Sequence, residues 1–268
     1  MLVISGYNGY IASSLRLFLD SNQLLYKSVS STSICSSSID FDTYFSLNSP
    51  IDLIYLSDPA SLPADTTLAS ISKYHDRLIR FTHHPHIRSI YYLSSTSCLP
   101  DSTNTTFIEN PSSYSSIYSY LKLKNQHFLS HAIHDIAYLN KVVILKLASF
   151  VSNTPKANSL FHKIVSSNQS SSLCLYGDYC FNEYFLYSLD FNLFLLRSLE
   201  LPPGFFEFIL RPPVSTYIPS LLLPSFRTQG PAPPLFSPIP SSDSSPLDHK
   251  FYSPTFNEKD SRIYWIKS

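Results

Sequence analysis

A glycine-rich turn near the N-terminus constrains the fold of this chain more than any other stretch. Residues 2–4 form an apolar run that ends at Ser5, Gly6 and Gly9 follow, and apolar residues recur at helical spacing over residues 12–19. The pattern predicts a buried strand, a tight turn and a helix, which is half of a βαβ unit. Two of the chain's five glycines lie in this turn, which indicates close approach of the backbone to another group.

A phosphate would explain that close approach. The first N–H groups of a helix have no partner within the helix and carry a partial positive charge, so a dinucleotide pyrophosphate binds there if no side chain blocks it. Gly6 would make the turn, Gly9 would clear the approach, and Ala12 would let the helix pack closely on the sheet. A glycine turn without any ligand is the alternative.

Residues 4–12, Ile-Ser-Gly-Tyr-Asn-Gly-Tyr-Ile-Ala, resemble the opening of the extended short-chain dehydrogenases/reductases, the NAD-dependent epimerase/dehydratase family, whose pattern is roughly T-G-x-x-G-F-I-G. The resemblance continues through ordered motifs over residues 1–200. It implies an α/β fold, a Rossmann-like doubly wound parallel sheet with a small C-terminal substrate lobe. It also implies NAD or NADP as the cofactor, held at its pyrophosphate by Gly6, Tyr7, Asn8, Gly9, Tyr10 and Ile11.

Length and composition fit one large α/β domain with an appended lobe. We place an NAD(P)-binding domain at residues 1–170 and a smaller substrate-binding lobe, partly interleaved with it, at residues 171–268. Most of the 20 prolines lie within residues 201–246, where they favour extended and turn conformations. A mobile tail is the alternative for this stretch.

Charge and cysteine usage exclude several classes of partner. With 19 basic and 19 acidic residues, no net charge favours nucleic acid or an anionic membrane. The four cysteines show no zinc spacing, Pro85 interrupts the histidines of residues 83–86, and no apolar run is long enough to span a membrane. We therefore expect a cytoplasmic protein without a metal site. The family resemblance adds the expectation of a possible homodimer, formed by pairing of two long helices.

The cofactor's adenosine side is less well defined. Residues 23–29 are expected to form the second strand, but Ser30 and Ser31 stand where an acidic residue or an arginine would decide between NAD and NADP. The resemblance places Asp40 beside the adenine, with a solvated loop carboxylate as the alternative.

A second buried run covers residues 52–57 and reads as a parallel strand. It resembles the family's D-x-V-I-H-L-A segment, whose carboxyl end lies against the cofactor, so Leu56 and Ser57 are expected to contact it. Three further elements complete the pattern: a helix predicted by apolar spacing over residues 68–81, an apolar strand over residues 141–147, and a helix that ends near Leu199.

Residues 90–97 form a strand that runs into hydroxyl side chains and resembles the family's V-Y-x-S-S-x-x-V-Y-G. Ser95 falls at the family's catalytic Ser/Thr. Thr96 and Ser97 stand where sugar-nucleotide 4,6-dehydratases carry an Asp-Glu pair, which argues against a dehydratase because elimination of water needs an acid and a base. Residues 99–100, Leu-Pro, replace the usual Tyr-Gly.

Two overlapping Y-x-x-x-K matches follow, Tyr118/Lys122 and Tyr120/Lys124. The family's Y-x-x-S-K-L-x-x-E is reproduced only in the first register, with Gln126 for the Glu. Positions i and i+4 share a helix face, so the Lys122 ammonium can lie beside the Tyr118 phenol and near the cofactor ribose.

A neighbouring cation lowers a tyrosine pKa from about 10. Tyr118 could then exchange a proton with a substrate hydroxyl or carbonyl while hydride passes to or from nicotinamide. Ser95 would hydrogen-bond the same oxygen. An ordinary amphipathic helix is the alternative.

The substrate contacts depart from the family pattern. We expect Ser95, Thr96 and Ser149 to contact the substrate, although Ser149 replaces an Asn that usually does so. Glu183 occupies the position at which the family has an Arg that binds the substrate diphosphate. A carboxylate at this position would repel the diphosphate. Another basic residue could supply the grip: Lys156, Lys163 or Arg211.

Three functions remain open. The leading one is an NAD(P)-dependent oxidoreductase or epimerase acting on a nucleotide-activated sugar in surface polysaccharide synthesis. A dinucleotide-binding sensor or scaffold that has lost turnover is the second. A reductase of a carbonyl substrate without a nucleotide is the third.

Overall fold

The computed structural model describes residues 1–29, 49–58, 68–96, 117–152, 182–212 and 216–217. Its main strands are β1 Leu2–Ser5, β2 Tyr26–Val29, β3 Ile51–Tyr55, β4 Ile87–Ser95, β5 Lys141–Leu147 and β9 Gly204–Leu210. They form one parallel sheet in the order β2-β1-β3-β4-β5-β9. Every residue of β5 is buried, as expected of a parallel strand covered on both faces.

Helices cover both faces of this sheet. They are α1 Tyr10–Ser21, α2 Leu68–Thr82, α3 Ile117–Asp135 and α4 Ser188–Leu199. Successive residues of a strand face opposite sides, so Val3 packs with Leu78 of α2 and Leu129 of α3. Ile4 packs on the other side with Leu15 of α1, and α4 lies against α1 there. The predicted doubly wound α/β fold is confirmed.

Most predicted elements agree with the structure to within a few residues. The helix expected over residues 68–81 is α2, and the strand expected over residues 141–147 is β5. The second strand is an exception at its start, because it begins at Tyr26 and not at Gln23. Gln23 has a left-handed φ of 56° in the turn that closes α1, so the extended backbone begins only after it.

The sixth strand of the sheet comes from the segment assigned above to the C-terminal lobe. Strand β9 follows Pro202 and Pro203 and pairs with β5 from Lys141↔Gly204 to Leu147↔Leu210. Its aromatic and branched side chains suit a sheet better than a proline-rich loop. The main sheet therefore reaches past residue 200, while the division of the chain at residue 170 stays a prediction.

Two short strand pairs accompany the main sheet. Strand β6 Ser149–Val151 pairs in parallel with β8 Phe185–Tyr187. Strand β7 Asn182–Glu183 pairs antiparallel with β10 Thr216–Tyr217. Because only Ala148 separates β6 from the end of β5, β6 lies at the carboxyl edge of the sheet.

No helix in the described part of the chain is long and apolar enough to cross a bilayer. The histidine-containing residues 83–86 form the connection from α2 to β4, where the His84 N–H donates to the Phe81 carbonyl at 3.0 Å and the Ile87 N–H donates to the His84 carbonyl at 3.0 Å. Among the residues described, no cluster of three or more His, Cys, Asp or Glu could hold a metal ion.

Candidate active site

The glycine turn links the carboxyl end of β1 to α1 and requires a glycine at its first position. Gly6 has φ +77°, and a Cβ added there would lie 2.5 Å from the Leu56 carbonyl oxygen. The Gly6 N–H donates to Val29 O at 3.1 Å, and the Gly9 N–H donates to Gly6 O at 3.0 Å. The left-handed backbone and the close approach of Leu56, the residue after β3, together exclude a side chain at residue 6.

The N-terminus of α1 lies open at this turn. Gly9 is its N-cap and is exposed, and the first turn contains no acidic side chain. Within the described residues, the backbone N–H groups of Tyr10, Ile11 and Ala12 have no hydrogen-bond acceptor. Three such N–H groups at the positive end of a helix form a suitable site for a pyrophosphate.

The carboxyl end of β3 lies beside the turn, at the point where the strand order reverses from β1 to β3. The Leu56 N–H donates to Ser5 O at 3.1 Å, which holds the two strand ends together. Ser57 is 7% exposed, and its Oγ has no hydrogen-bond partner in the described part of the molecule. A buried hydroxyl without a partner is costly, so this position suits a polar ligand such as a nucleotide. Asp40 lies outside the described residues.

The Tyr118/Lys122 register of α3 faces the sheet, and its catalytic role stays a prediction. Lys122 is 6% exposed, and its Nζ donates to Leu93 O at 2.6 Å. The same Nζ lies 5.7 Å from the centre of the Tyr118 ring. One turn further on, Gln126 donates to Ser94 Oγ at 2.8 Å. The face of α3 that carries residues 118, 122 and 126 therefore packs on the end of β4.

Sequence reasoning missed the residue that pairs with Lys122. Asp58 follows β3, and its Oδ2 lies 3.1 Å from Lys122 Nζ, with the two side chains 2% and 7% exposed. An ammonium group has three N–H donors. In the described part of the chain two of those of Lys122 have acceptors, Asp58 and Leu93, so one remains for a ligand. The signal in the sequence was a carboxylate placed directly after a buried parallel strand.

Neutral side chains complete the surroundings of Asp58. Tyr92 Oη donates to Asp58 Oδ2 at 2.6 Å, and Asn125 Nδ2 donates to the same oxygen at 3.2 Å. Burial first, and then the Asp58 carboxylate, raise the pKa of Tyr92 well above 10, so it remains a phenol. We call Asp58, Tyr92, Lys122 and Asn125, together with His75, the buried polar cluster.

His75 is the outermost member of the buried polar cluster. Its Nδ1 lies 2.7 Å from Asn125 Oδ1. Because the amide nitrogen of Asn125 faces Asp58, its oxygen faces the imidazole, and His75 Nδ1 is the donor. Burial lowers the pKa of His75 below its usual 6.5, partly countered by the hydrogen bond to Asn125, so the ring is neutral at physiological pH.

The proposed substrate residues lie at the same edge of the sheet. Ser95 is the last residue of β4 and pairs with Leu147 of β5, and Thr96 follows it. Ser149 begins β6, and its N–H donates to Tyr184 O at 3.0 Å. The contacts of these side chains with a substrate stay predictions.

Tyr10 joins the glycine turn to β6. It is the first residue of α1, and its Oη accepts a hydrogen bond from the Ser152 N–H at 2.9 Å. Its ring meets Phe150 edge to face with centroids 5.4 Å apart. The predicted pyrophosphate turn and the segment that contains Ser149 are therefore held next to each other.

Three basic residues were named above as alternatives to the arginine that binds the substrate diphosphate in the family. The Glu183 backbone pairs with Thr216, and Lys156 and Lys163 lie outside the described residues. Arg211 follows β9, and its guanidinium lies 5.0 Å from the centre of the Tyr184 ring. Of the three basic candidates, Arg211 is thus placed beside the residue that follows Glu183.

No protein-family profile matches the sequence, and no curated protein matches it. Solved structures match the fold. A dTDP-glucose 4,6-dehydratase from Bacillus anthracis, in complex with NAD, is 13% identical over 82% of this chain and 77% of its own, with TM-score 0.61. A UDP-glucose 4-epimerase from Thermotoga maritima, with UDP-glucose, is 15% identical over 82% and 79%, with TM-score 0.62. A UDP-N-acetylglucosamine 4-epimerase from Methanobrevibacter ruminantium is 18% identical over 82% and 79%, with TM-score 0.60.

These likenesses define the class of fold. The chain shares the Rossmann-like parallel-sheet fold of these solved structures, and its glycine turn, the Tyr118/Lys122 helix and Ser95 lie at one edge of the sheet. These structures include 4-epimerases and a 4,6-dehydratase, and several were crystallised with NAD or a nucleotide sugar. The family resemblance found in the sequence is confirmed at the level of the fold.

Proposed function

We propose that the protein is an NAD(P)-dependent oxidoreductase or epimerase that acts on a nucleotide-activated sugar. The observation that carries the proposal is the placement of the Lys122 ammonium, buried and 5.7 Å from the Tyr118 ring, at the sheet edge that also carries the Gly6 turn. The neighbours crystallised with NAD and with UDP-glucose support both the cofactor and the substrate class. Ser97 and Thr96, in place of an Asp-Glu pair, favour an epimerase or reductase over a dehydratase.

The residues present fit a dinucleotide. The N–H groups of Tyr10, Ile11 and Ala12 would hold the pyrophosphate, and Gly6 and Gly9 would leave its approach clear. Ser57 Oγ, buried without a partner among the described residues, would gain one from the nucleotide. The remaining N–H of Lys122 would donate to a ribose hydroxyl. When bound, the nicotinamide accepts or supplies hydride.

The side chains of this site supply the proton transfer. In the proposed reaction the Tyr118 hydroxyl gives a proton to a substrate carbonyl oxygen, or its phenolate takes one from a substrate hydroxyl. Ser95 holds the same oxygen by a hydrogen bond. Lys122 fixes the ribose and influences the ionisation of Tyr118.

A binding and turnover experiment tests this function. We would titrate the protein with NAD, NADH, NADP and NADPH, and then measure absorbance change or isotope exchange with nucleotide sugars. We expect Tyr118→Phe to bind cofactor normally and to lose turnover by about 10² to 10⁴-fold, the range for a positioned acid or base. The matched control is Tyr120→Phe, which changes the other Y-x-x-x-K register and should leave turnover unchanged. Equal turnover in both variants would refute the role of Tyr118.

A cofactor-dependent sensor or scaffold is the second candidate. The observation in its favour is that Asp58 and Leu93 already occupy two donors of Lys122. Cofactor binding without turnover of any nucleotide sugar, with Tyr118→Phe indistinguishable from the unaltered protein, would support this candidate.

Three further elements of the proposal concern context. We place the enzyme in surface polysaccharide synthesis, because nucleotide sugars supply such polymers. We also propose a homodimer through two long helices and a C-terminal substrate lobe beyond residue 170. Sedimentation equilibrium tests the dimer, and limited proteolysis tests the lobe.

A further inference from the structure

A second charge lies beside the proposed catalytic tyrosine. Lys122 Nζ is 3.1 Å from Asp58 Oδ2, and both side chains are almost fully buried. The same Nζ lies 5.7 Å from the centre of the Tyr118 ring. The ammonium group that lies over the Tyr118 ring is therefore one member of an ion pair, and the negative charge of Asp58 opposes its effect on Tyr118.

The ion pair is fixed in place from several elements. Tyr92 of β4 and Asn125 of α3 both donate to the Asp58 carboxylate, at 2.6 and 3.2 Å. The Lys122 ammonium also donates to the Leu93 carbonyl of β4 at 2.6 Å. A carboxylate held by three donors cannot rotate away from the lysine without losing buried hydrogen bonds, which is costly.

The other ionisable groups of the buried polar cluster are neutral. Tyr92 on β4 remains a phenol, and His75 on α2 is a neutral imidazole at physiological pH. Lys124 of α3 and Asp76 of α2 are further charges nearby, and they act on His75 with opposite signs. Within the cluster, the charged groups are thus Lys122, which lies near the Tyr118 ring, and Asp58, which is paired with Lys122.

We propose that Asp58 is a positioning residue of the reaction, which holds the Lys122 ammonium against the Leu93 carbonyl and offsets its positive charge beside Tyr118. This inference rests on the proposed function. Because the pair favours the phenolate less than a lone lysine would, Tyr118 serves at neutral pH as a proton donor for carbonyl reduction. With a reduced nicotinamide bound, which would supply hydride to the carbonyl carbon, Tyr118 would give its proton to the carbonyl oxygen, and solvent would reprotonate the phenolate.

Titration of Tyr118 tests the inference without any turnover. We would place 3-fluorotyrosine at position 118 and follow its ionisation by ¹⁹F NMR in the cofactor-free protein. Removing the carboxylate charge with Asp58→Asn should lower the titration midpoint by about one pH unit or more, as expected for a lysine charge some 6 Å away that is no longer offset. The matched control is Asp76→Asn, which removes the same charge from an exposed position of α2 and should shift the midpoint by only a few tenths.

Asp58→Asn leaves a buried lysine without its partner and could therefore misfold. A double variant is the control for that case. Asp58→Asn with Lys122→Met buries no lone charge, so it should keep the fold. If the pair is nearly neutral toward Tyr118, this double variant should titrate within a few tenths of a unit of the unaltered protein. A midpoint about one unit higher would mean that Tyr118 feels the full lysine charge, and would overturn the inference.

The outcomes separate this inference from the proposed function. An unchanged midpoint in Asp58→Asn overturns the role of Asp58 whether or not the protein turns over a sugar. With an active substrate, Asp58→Asn should also move the acidic limb of the kcat/KM profile for hydroxyl oxidation to lower pH. A merely structural role for Asp58 would lower activity at every pH without moving that limb.

Discussion

The candidate site has two halves, one formed by backbone groups and the other by buried side chains. The half at the carboxyl end of β1 consists of backbone: a left-handed Gly6 and the first N–H groups of α1. The half at the ends of β3 and β4 consists of buried side chains, with Lys122 and Asp58 in direct contact. The backbone half depends on the absence of side chains, whereas the side-chain half depends on matched charges. The two halves should therefore respond differently to substitution.

The largest expected effect tests the side-chain half. Lys122→Met removes one partner of a buried ion pair and leaves the Asp58 carboxylate uncompensated, so we expect a loss of about 3 to 5 kcal/mol in the free energy of unfolding. Urea denaturation at pH 7.5 measures this loss. Lys124→Met on the same helix is the control and should change stability by about 0.5 kcal/mol or less. Equal effects of the two variants would show that the ion pair contributes nothing.

The next effect tests the backbone half. Gly6→Ala places a Cβ 2.5 Å from the Leu56 carbonyl at a φ of +77°, so strain and overlap should cost about 3 kcal/mol. Cofactor binding should be lost as the turn rearranges. Gly9→Ala is the contrast, because its Cβ would meet the Gly6 carbonyl at 3.3 Å without a left-handed φ. Thermal unfolding of both variants checks the ranking, and a Gly9→Ala variant less stable than Gly6→Ala would contradict it.

A third prediction compares the carboxylate of Asp58, which is paired with a lysine, with a buried carboxylate whose pKa is shifted by burial. Asp190 of α4 is 4% exposed, and burial raises its pKa to about 6. The folded state then binds the proton more tightly than the unfolded state, so this group lowers stability as the pH rises from about 4 to 6. Asp190→Asn should raise the free energy of unfolding by about 1 to 3 kcal/mol at pH 7.5.

The pH dependence is the control for Asp190. At pH 3.5 the carboxyl is protonated in the folded state and mostly protonated in the unfolded state, so the gain from Asp190→Asn should nearly vanish there. Asp20→Asn, at an exposed position of α1, is the matched variant and should show no comparable gain at pH 7.5. A stabilisation by Asp190→Asn that is the same at both pH values would mean that the carboxylate charge is not its cause.

The sequence predicted the strand, glycine turn and helix that form the backbone half, because glycine spacing and apolar periodicity are local signals. The turn at Gly6 and the bounds of β5 follow from neighbouring residues alone. The pairing of Lys122 with Asp58 joins residues 64 positions apart, and no local pattern specifies it. Strand β9 was not predicted for a related reason. The prolines around it favour loops, and it is a strand because it pairs with β5.

The smallest expected effect concerns the contact that joins the two halves of the site. Tyr10 accepts the Ser152 N–H at 2.9 Å, and its ring packs edge to face on Phe150. Tyr10→Phe keeps the ring contact and removes only the acceptor, so stability should fall by about 1 kcal/mol. Because α1 itself is unchanged, cofactor affinity should hold while KM for the proposed sugar substrate rises, since the segment beginning at Ser149 loses its hydrogen bond to the turn. Calorimetric cofactor titration and steady-state kinetics separate the two effects, and a weaker cofactor complex with unaltered KM would show that Tyr10 acts within the turn instead.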